Sequence, residues 1–304
     1  MPSTVALTGA SGFIGRTLAH QVTEAGWQVR ALVRSPSKVS RTLPASTEII
    51  QGDLNNRDSL LHLVENCESV IHVAGATRGI SRGDFQTINV QGTANLIQAC
   101  KAQGHLPKFV LLSSLAAREP SLSPYAWSKR EGEKLLLKEG ENLQWLILRP
   151  PAVYGPHDKN LLPLFHMLQK GVGLQLNHDT ARFSLIHVDD VARAVIHWLK
   201  KGSPLSSTFE IDDGHPKGYS WPEVFRLVNP NLRLRIRVPS FFLSSTACIN
   251  EKLGSLLRYT PLFTRGKVAE LQHDDWVCDS QSAREQLGWT PDVSLQEGLR
   301  RLLT

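Results

Sequence analysis

Short runs of apolar residues alternate, along the first half of the chain, with longer stretches in which apolar positions recur at helical spacing. The runs are rich in Val, Ile and Leu, as expected of strands that helices cover on both faces. Strands are predicted at Thr4–Thr8, Gln28–Val33, Glu48–Ile50, Ser69–Val73, Lys108–Leu112 and Gln144–Leu148. Helices are predicted between them at Gly12–Ala25, Asp58–Val64, Phe85–Ala102 and Pro124–Lys138. This alternation predicts βαβ units and a parallel sheet.

The pattern changes after Pro150. Prolines and glycines at positions 150, 151, 155 and 156 interrupt regular structure, and a less periodic stretch extends to about Arg182. Further strands are predicted at Phe183–His187, Phe209–Ile211 and Leu232–Val238. Further helices are predicted at Asp189–Lys200, after Ser220, and around Phe241–Leu257, Ser282–Leu287 and Leu295–Leu303. The second half is therefore expected to consist of shorter, mixed elements.

The composition is that of an ordinary soluble globular protein. Of the 304 residues, 41% are hydrophobic and 20% are charged, which excludes the disordered, collagen-like and disulfide-dense classes. The 34 Lys and Arg residues exceed the 28 Asp and Glu residues by six. They are scattered without a polybasic run, so we expect no nucleic-acid partner.

Cysteine usage and the chain's start give expectations about its compartment. The four cysteines lie far apart without a CxxC pair, which predicts neither a zinc site nor a disulfide framework. The first residues lack the basic and apolar segments of a signal peptide, and no apolar run approaches the ~20 residues that cross a bilayer. We therefore expect a soluble, cytoplasmic protein without a transmembrane segment.

A glycine-rich turn, Thr8-Gly9-Ala10-Ser11-Gly12-Phe13-Ile14-Gly15, follows the first predicted strand and opens the first helix. Glycines at such a junction let the backbone approach a pyrophosphate, whose charge the free N–H groups of the helix then bind. The spacing is Gly-x-x-Gly-x-x-Gly, so its position at the first βα junction is what favours cofactor binding over a simple tight turn. The candidate cofactor-binding residues of this turn are Gly9, Ser11, Gly12, Phe13, Ile14 and Gly15.

The end of the second predicted strand bears on the choice of cofactor. An acidic residue there commonly binds the ribose hydroxyls of NAD(H), but this chain has Arg34 followed by Ser35 and Lys38. A guanidinium grips a phosphate through two parallel hydrogen bonds. We therefore predict NADP(H), with Arg34 and Lys38 at its extra phosphate. NAD(H) stays open, since a solvated arginine after a strand is also common.

A tyrosine and a lysine stand four residues apart, in Tyr125-Ala126-Trp127-Ser128-Lys129, at the start of a predicted helix. Residues with this spacing share a helix face, so the Lys129 ammonium is expected beside the Tyr125 phenol, where it lowers the phenol pKa. Just upstream, Ser113 and Ser114 end a predicted strand at the edge where open α/β sheets bind ligands. Hydride transfer to a carbonyl needs a proton donor of this kind. The serines are equally compatible with turn formation and capping.

These features, with others in the same order along the chain, resemble the extended short-chain dehydrogenase/reductase superfamily and its NAD(P)-dependent epimerase/dehydratase group. The matching segments are Thr8-Gly9-x-x-Gly12-x-x-Gly15, Gly52-Asp53-Leu54, His72-Val73-Ala74-Gly75, Asn89-Val90-x-Gly92-Thr93, Ser113-Ser114, Tyr125-x-x-x-Lys129, Arg149-Pro150 and His187-Val188-Asp189-Asp190. The resemblance implies an α/β fold with a Rossmann doubly wound parallel sheet and a smaller C-terminal α+β substrate-binding region. Residues 1–155 and 183–203 are predicted to bind NAD(P), and residues 156–182 and 204–304 to bind substrate.

The resemblance also implies roles for individual residues. Tyr125 would be the general acid/base, Lys129 would hold the nicotinamide ribose and tune Tyr125, and Ser114 would orient the substrate oxygen. Asn89 falls where the family has an asparagine that supports the site, although a structural hydrogen bond within its helix is an equal alternative. The residues that the resemblance places at the cofactor are Asp53, Leu54, Ala74, Gly75, Tyr125, Lys129 and Pro150.

The sixth predicted strand favours one reaction over another. Sugar-nucleotide epimerases of this group usually carry an asparagine where this chain has Ala152, which cannot form that hydrogen bond. The Arg149-Pro150-Pro151 form is more similar to the 3β-hydroxysteroid dehydrogenase and dihydroflavonol reductase branches, which act on flat or apolar alcohols and ketones. We therefore predict an NADP(H)-dependent oxidoreductase that interconverts a secondary alcohol and a ketone, or reduces an aldehyde, on an apolar small molecule.

Alternatives stay open at this point. An epimerase or dehydratase would retain bound NAD, and a non-catalytic nucleotide-binding subunit or redox sensor would not need Tyr125. His-Glu-x-x-His and Gly-x-x-x-x-Gly-Lys-Ser/Thr motifs are absent, so no metal site and no phosphoryl transfer are predicted. The apolar segment from Phe241 to Tyr259 is interpreted as core, as a lid, or as a membrane-surface element. The resemblance is compatible with a homodimer, which no feature of the sequence requires.

Overall fold

A seven-stranded parallel sheet lies at the centre of the computed structural model, which describes residues 3–39, 41–202, 204, 206–257, 259–261 and 263–303. The strands are β1 (Thr4–Thr8), β2 (Gln28–Val33), β3 (Glu48–Gln51), β4 (Ser69–His72), β5 (Lys108–Leu112), β6 (Trp145–Arg149), β7 (Ala152–Tyr154), β8 (Val172–Gln175), β9 (Arg182–Phe183), β10 (Leu185–His187), β11 (Ser207–Glu210), β12 (Leu234–Arg237) and β13 (Asp275–Trp276). The central sheet has the order β3-β2-β1-β4-β5-β6-β11. This is the predicted Rossmann-like arrangement.

Helices cover both faces of the sheet. The α-helices are α1 (Phe13–Glu24), α2 (Arg57–Val64), α3 (Arg82–Phe85), α4 (Gly92–Lys101), α5 (Pro124–Glu139), α6 (Leu162–Gln169), α7 (Val188–Lys201), α8 (Trp221–Val228), α9 (Ser240–Leu257), α10 (Arg265–Gln272) and α11 (Leu295–Leu303). Leu18 of α1 and Trp198 of α7 are fully buried in one core, and Leu96 of α4 and Leu136 of α5 in the other. Among the described helices, none has the length and apolarity needed to cross a bilayer.

The strand order reverses at β1, which pairs with β2 on one side and β4 on the other. Thr8, the last residue of β1, lies opposite Leu32 of β2 and His72 of β4. All neighbouring strands are parallel, so the segments that follow β1, β2, β4, β5 and β6 leave the sheet at one edge. That edge is the expected ligand site of a doubly wound sheet.

The stretch from 156 to 182, predicted to be irregular, contains helix α6 and strand β8, and strand β7 precedes it. Pro163 lies in the first turn of α6, where a missing N–H costs nothing, so it starts the helix and does not break it. Phe165 and Leu168 of α6 are buried. Strands β7 and β8 form through pairing with β10 and β12, which local periodicity does not encode.

Other predicted elements differ in detail. The predicted strand Phe183–His187 is two strands, β9 and β10, because they pair with different partners, β13 and β7. The predicted helix Phe85–Ala102 is broken into α3, a π-helical turn at Gln86–Gln91, and α4. Strand β11 pairs with β6 in the central sheet, although it falls in the range assigned to substrate binding. The division of the chain between cofactor and substrate stays a prediction.

Candidate active site

The glycine-rich turn connects β1 to α1 through two close backbone approaches. Gly9 adopts φ +77°, and a Cβ atom there would lie 2.6 Å from the backbone nitrogen of Ala74. A Cβ atom on Gly15 would lie 2.1 Å from the carbonyl oxygen of Gly9. Both positions therefore require glycine, which brings the turn against the segment after β4 and lets α1 pack on β1.

The N-terminus of α1 is open to an anion. Its N-cap is Gly12, which has no side chain to cap the first turn, and Ser11 and Gly12 are exposed. Phe13 and Ile14 are partly buried beneath them. The free N–H groups and the positive end of the helix dipole suit a pyrophosphate, so a dinucleotide fits here.

Arg16, in the same turn of α1, was missed by the sequence interpretation. Its Nε atom is buried and has no hydrogen-bond partner among the described residues. A buried donor without an acceptor lowers the stability of the protein. An anionic group bound at the turn would supply the missing acceptor. Its position, one residue after the last glycine of the motif, is the signal that could have identified it.

Two basic side chains that follow β2 form no contact with an acidic or hydrogen-bonding group among the described residues. The side chains of Arg34 and Lys38 are exposed, and neither forms a hydrogen bond or ion pair with any described residue. Lys38 ends the 3₁₀ turn Pro36–Lys38, which follows β2. The arrangement leaves both groups free to meet an anion beside the glycine-rich turn.

Asp53 and Leu54, which follow β3, have different environments. Asp53 is exposed and its carboxylate accepts a hydrogen bond of 2.7 Å from the Asn55 N–H. Leu54 is buried, and its carbonyl oxygen accepts a hydrogen bond of 2.8 Å from the Asn95 side chain. Asp53 is thus free to face a ligand, whereas the Leu54 side chain packs in the core.

Asn89 holds the segment after β4 against helix α5. Its Oδ1 accepts a hydrogen bond of 2.6 Å from the Ala76 N–H, and its Nδ2 donates to the Ala76 carbonyl and to the Ser128 hydroxyl. A Cβ atom on Gly75 would lie 3.3 Å from Asn89 Oδ1. Asn89 is 5% exposed. Its hydrogen bonds position the chain that follows Ala74 and Gly75.

His72, at the end of β4, is part of a buried hydrogen-bond relay. The Thr93 hydroxyl donates to the Asn89 carbonyl at 2.8 Å, so it accepts from His72 Nε2 at 3.0 Å. His72 Nδ1 then accepts from the Thr8 hydroxyl at 2.7 Å. Burial lowers the pKa of His72 to about 3, helped by the charge of Lys129, and the ring is neutral. The relay connects β1, β4 and the π-helical turn.

Tyr125, Lys129 and Ser114 converge at the carboxyl end of β5. Tyr125 and Lys129 lie one turn apart at the start of α5, whose N-cap is Ser123. Lys129 Nζ donates a hydrogen bond of 2.7 Å to the carbonyl oxygen of Leu112, the last residue of β5. Ser114 caps the 3₁₀ turn Leu115–Arg118, accepting from the Ala116 N–H at 3.2 Å, and its hydroxyl is near enough to the Tyr125 phenol to lower the pKa of that phenol.

The expected lowering of the Tyr125 pKa is wrong for the free protein. Burial raises the pKa of Tyr125 to about 12, although the hydrogen bond with Ser114 opposes the rise. The Lys129 ammonium donates its hydrogen bond to the Leu112 carbonyl oxygen. Burial lowers the pKa of Lys129 to about 8, and the negative charge of Glu133 opposes that change. The phenol is therefore protonated at neutral pH, as a proton donor must be.

A buried ion pair behind the site was also missed. Glu133 is 1% exposed, and its carboxylate accepts hydrogen bonds from both Arg149 Nε (2.8 Å) and a terminal nitrogen of Arg149 (2.6 Å). The Ser113 hydroxyl donates to the same carboxylate at 2.5 Å. The Ser113 hydroxyl is thus hydrogen-bonded to Glu133, behind the site, whereas the Ser114 hydroxyl lies near Tyr125. The spacing of Glu133, four residues after Lys129 on the same helix face, could have revealed it.

Two further contacts fix the surroundings of Tyr125. The buried Pro150, after β6, accepts a hydrogen bond of 2.8 Å from the Leu115 N–H through its carbonyl, which ties down the turn that carries Ser114. From the other side, helix α10 places Glu270 against the N-cap of α5, where the Ser123 hydroxyl donates to it. The second half of the chain therefore reaches the site through α10.

Comparisons with known proteins bear on the family and the fold. Residues 5–211 match the NAD dependent epimerase/dehydratase family. The chain is 35% identical to a ceramide reductase of Caulobacter vibrioides over 92% of this chain and 88% of that protein. It is 28% identical to a 2-alkyl-3-oxoalkanoate reductase of Stenotrophomonas maltophilia over 98% of both. The fold is similar to that of a UDP-glucose 4-epimerase from Thermotoga maritima, with TM-score 0.74, 20% identity and coverage of 99% and 100%.

The family match spans the glycine-rich turn, the Tyr125–Lys129 helix and the strands that position them. Both of these relatives are named as reductases, and a UDP-glucose 4-epimerase of Vibrio cholerae is 24% identical over 99% of this chain and 94% of that protein. This chain belongs to the NAD dependent epimerase/dehydratase family and is an NAD(P)-dependent oxidoreductase of the short-chain dehydrogenase/reductase type.

Proposed function

We propose that the protein reduces a ketone on a long, apolar molecule to a secondary alcohol, with NADPH as the hydride donor and Tyr125 as the proton donor. The observation that carries this proposal is the convergence of Tyr125, Ser114 and Lys129 at the end of β5, beside the open N-terminus of α1. The names of the two reductase relatives, which mention a ceramide and an alkyl-oxoalkanoate, support an apolar substrate.

The residues at the end of β5 have complementary roles in this reaction. NADPH supplies the hydride when it is bound. The Ser114 hydroxyl orients the carbonyl oxygen, and the protonated Tyr125 phenol gives that oxygen its proton as the alcohol forms. Lys129 holds a ribose hydroxyl, and its positive charge stabilises the phenolate that remains on Tyr125.

A screen of carbonyl compounds tests the proposed function. NADPH oxidation is measured with long-chain ketones, steroid-like and flavonoid-like ketones, and aldehydes, beside NADH as the alternative donor. We expect turnover with a long-chain ketone and a preference for NADPH. Bound NAD on purification, with no net consumption of NADPH in any assay, would instead identify an epimerase.

Replacing Arg34 by Ala should raise the Michaelis constant for NADPH by about 10- to 100-fold and leave that for NADH nearly unchanged. The reason is that a charge-assisted hydrogen bond to the extra phosphate, worth ~1.5–3 kcal/mol, is lost. Steady-state kinetics with both coenzymes measure the effect. Arg226→Ala, an exposed arginine on α8, is the control and should change neither constant. Equal effects of Arg34→Ala on both coenzymes would refute the assignment.

The pH profile of ketone reduction should fall above a pKa near 8. Lys129 is charged below that value and neutral above it, while Tyr125 stays protonated throughout because its pKa is about 12. In Lys129→Arg the fall near pH 8 should disappear, since a guanidinium stays charged. The readout is the shape of log kcat/KM against pH. Lys134→Arg, on the exposed side of α5, should keep the wild-type profile; a fall that persists in Lys129→Arg would contradict the role of Lys129.

A further inference from the structure

Helix α9 exposes a continuous apolar stripe. Phe242, Ile249, Leu253 and Leu256 follow one another at intervals of seven, four and three residues, so they share one side of the helix, and they are 62%, 59%, 43% and 77% exposed. The opposite side of α9 is buried against the protein. The apolar side chains exposed in and beside α9 are Phe241, Phe242, Ile249, Leu253, Leu256, Leu257 and Tyr259. A stripe of this size on a globular protein indicates a binding surface.

The same region carries most of the net charge of the chain. Residues 232–272 contain seven Lys and Arg residues and two glutamates, whereas the rest of the chain contains 27 basic and 26 acidic residues. Both glutamates are buried: Glu251 pairs with Arg265 at 2.8 Å, and Glu270 with Lys267 at 3.0 Å. Arg235 pairs with Asp179, whereas Lys252 of α9, Arg237 of β12 and Arg233 just before β12 form no ion pair with any described residue, so this region keeps an excess of positive charge.

The apolar stripe and the excess of basic residues together favour one class of binding partner. A second copy of this chain docked through the same face would set two basic surfaces against each other. A nucleic acid would use the cations but leave the Phe and Leu side chains without an apolar partner. An anionic lipid surface satisfies both features, because the apolar stripe enters the boundary of the acyl chains while the cations meet the headgroups.

We propose that α9 binds the surface of a membrane that contains anionic lipid, lying in the plane of the interface with its stripe of Phe242, Ile249, Leu253 and Leu256 inserted. The docking surface is connected to the candidate active site, since α9 packs on α10, and α10 carries the Glu270 that accepts a hydrogen bond from Ser123. The membrane contact does not depend on the proposed reaction. It is a surface property that is tested separately from catalysis.

Co-sedimentation with vesicles tests the proposal. The full chain is mixed with vesicles of phosphatidylcholine alone or of phosphatidylcholine with phosphatidylglycerol, at low and high salt. We expect binding to the anionic vesicles that weakens as salt is raised, and weaker binding to phosphatidylcholine alone. The double variant Phe242→Ser with Leu256→Ser should bind at least about tenfold more weakly, because two large apolar groups no longer enter the lipid.

Control variants keep the test decisive. Leu137→Ser removes an exposed leucine from α5 and should leave vesicle binding unchanged. Reduction of a water-soluble ketone should be the same in the wild type and the double variant, which separates the docking from the reaction. The proposal is overturned if the wild type binds neither vesicle, if the double variant binds as tightly as the wild type, or if sedimentation equilibrium shows a dimer that the double variant dissociates.

Discussion

Replacing Tyr125 by Phe should lower kcat for NADPH-dependent ketone reduction by about 10²–10⁴-fold, the range typical of a lost general acid. The substitution removes the hydroxyl that donates the proton and keeps the ring, whose edge packs against Phe85 with ring centroids 6.0 Å apart. Cofactor affinity should therefore stay close to that of the wild type. Stopped-flow measurement of NADPH oxidation and fluorescence titration of NADPH separate the two quantities.

Tyr259→Phe is the matched control for this substitution. Its hydroxyl is hydrogen-bonded to the Asn250 side chain at 2.5 Å, near the end of α9 and away from the cofactor edge. We expect its kcat to equal that of the wild type. If Tyr125→Phe retained most of the turnover, another group would have to supply the proton, and the proposed role of Tyr125 would be rejected.

Replacing Glu133 by Ala should lower the free energy of unfolding by about 3–5 kcal/mol, because the partly buried Arg149 guanidinium loses its bidentate carboxylate partner and keeps, among the described residues, only the longer contact of 4.0 Å with Glu210. Two hydrogen bonds from Arg149, one from Ser113 and one from Arg130 are lost together. Equilibrium urea unfolding followed by circular dichroism measures the change. The double variant Glu133→Ala with Arg149→Met should recover part of the loss, since no unpaired charge then remains.

Glu131→Ala provides the comparison on the same helix. Its ion pair with Lys134 is 2.8 Å long but lies at the surface, so we expect a cost of less than about 1 kcal/mol. The contrast between the two glutamates follows from burial and from the larger number of hydrogen bonds that the Glu133 carboxylate accepts. Equal and small effects at both positions would show that the pair behind Tyr125 does not stabilise the fold.

The parts of the site that the sequence predicted well depend on local geometry. The turn at Gly9 and Gly15 lies between one strand and the next helix, and Tyr125 and Lys129 are one helical turn apart. The strands that carry these residues were also predicted, because buried parallel strands have short apolar runs. Arg34 and Lys38 follow strand β2, as predicted. That these two side chains make the protein prefer NADPH to NADH stays a proposal, which the kinetics of Arg34→Ala test.

What the sequence did not predict depends on distant contacts or on burial. Strand β8 exists through pairing with β12, about sixty residues later, and the ion pair of Glu133 joins α5 to β6. The pKa of Tyr125 rises because the side chain is buried, whereas spacing alone indicated a nearby lysine and a lower value. Apart from Arg34 and Lys38, the positive charge had no assigned site in the sequence, and in the structure helix α9 exposes an apolar stripe within a region that is rich in basic residues.

The most direct test of the proposed reaction is transfer of deuterium to a long-chain ketone from NADPH in which both C4 hydrogens of the nicotinamide are deuterium, followed by mass spectrometry. We predict one deuterium on the carbinol carbon of each product molecule, one NADPH consumed per alcohol formed, and product formation about 10²–10⁴-fold slower with Tyr125→Phe. An unlabelled product, or conversion without consumption of NADPH, would contradict the account.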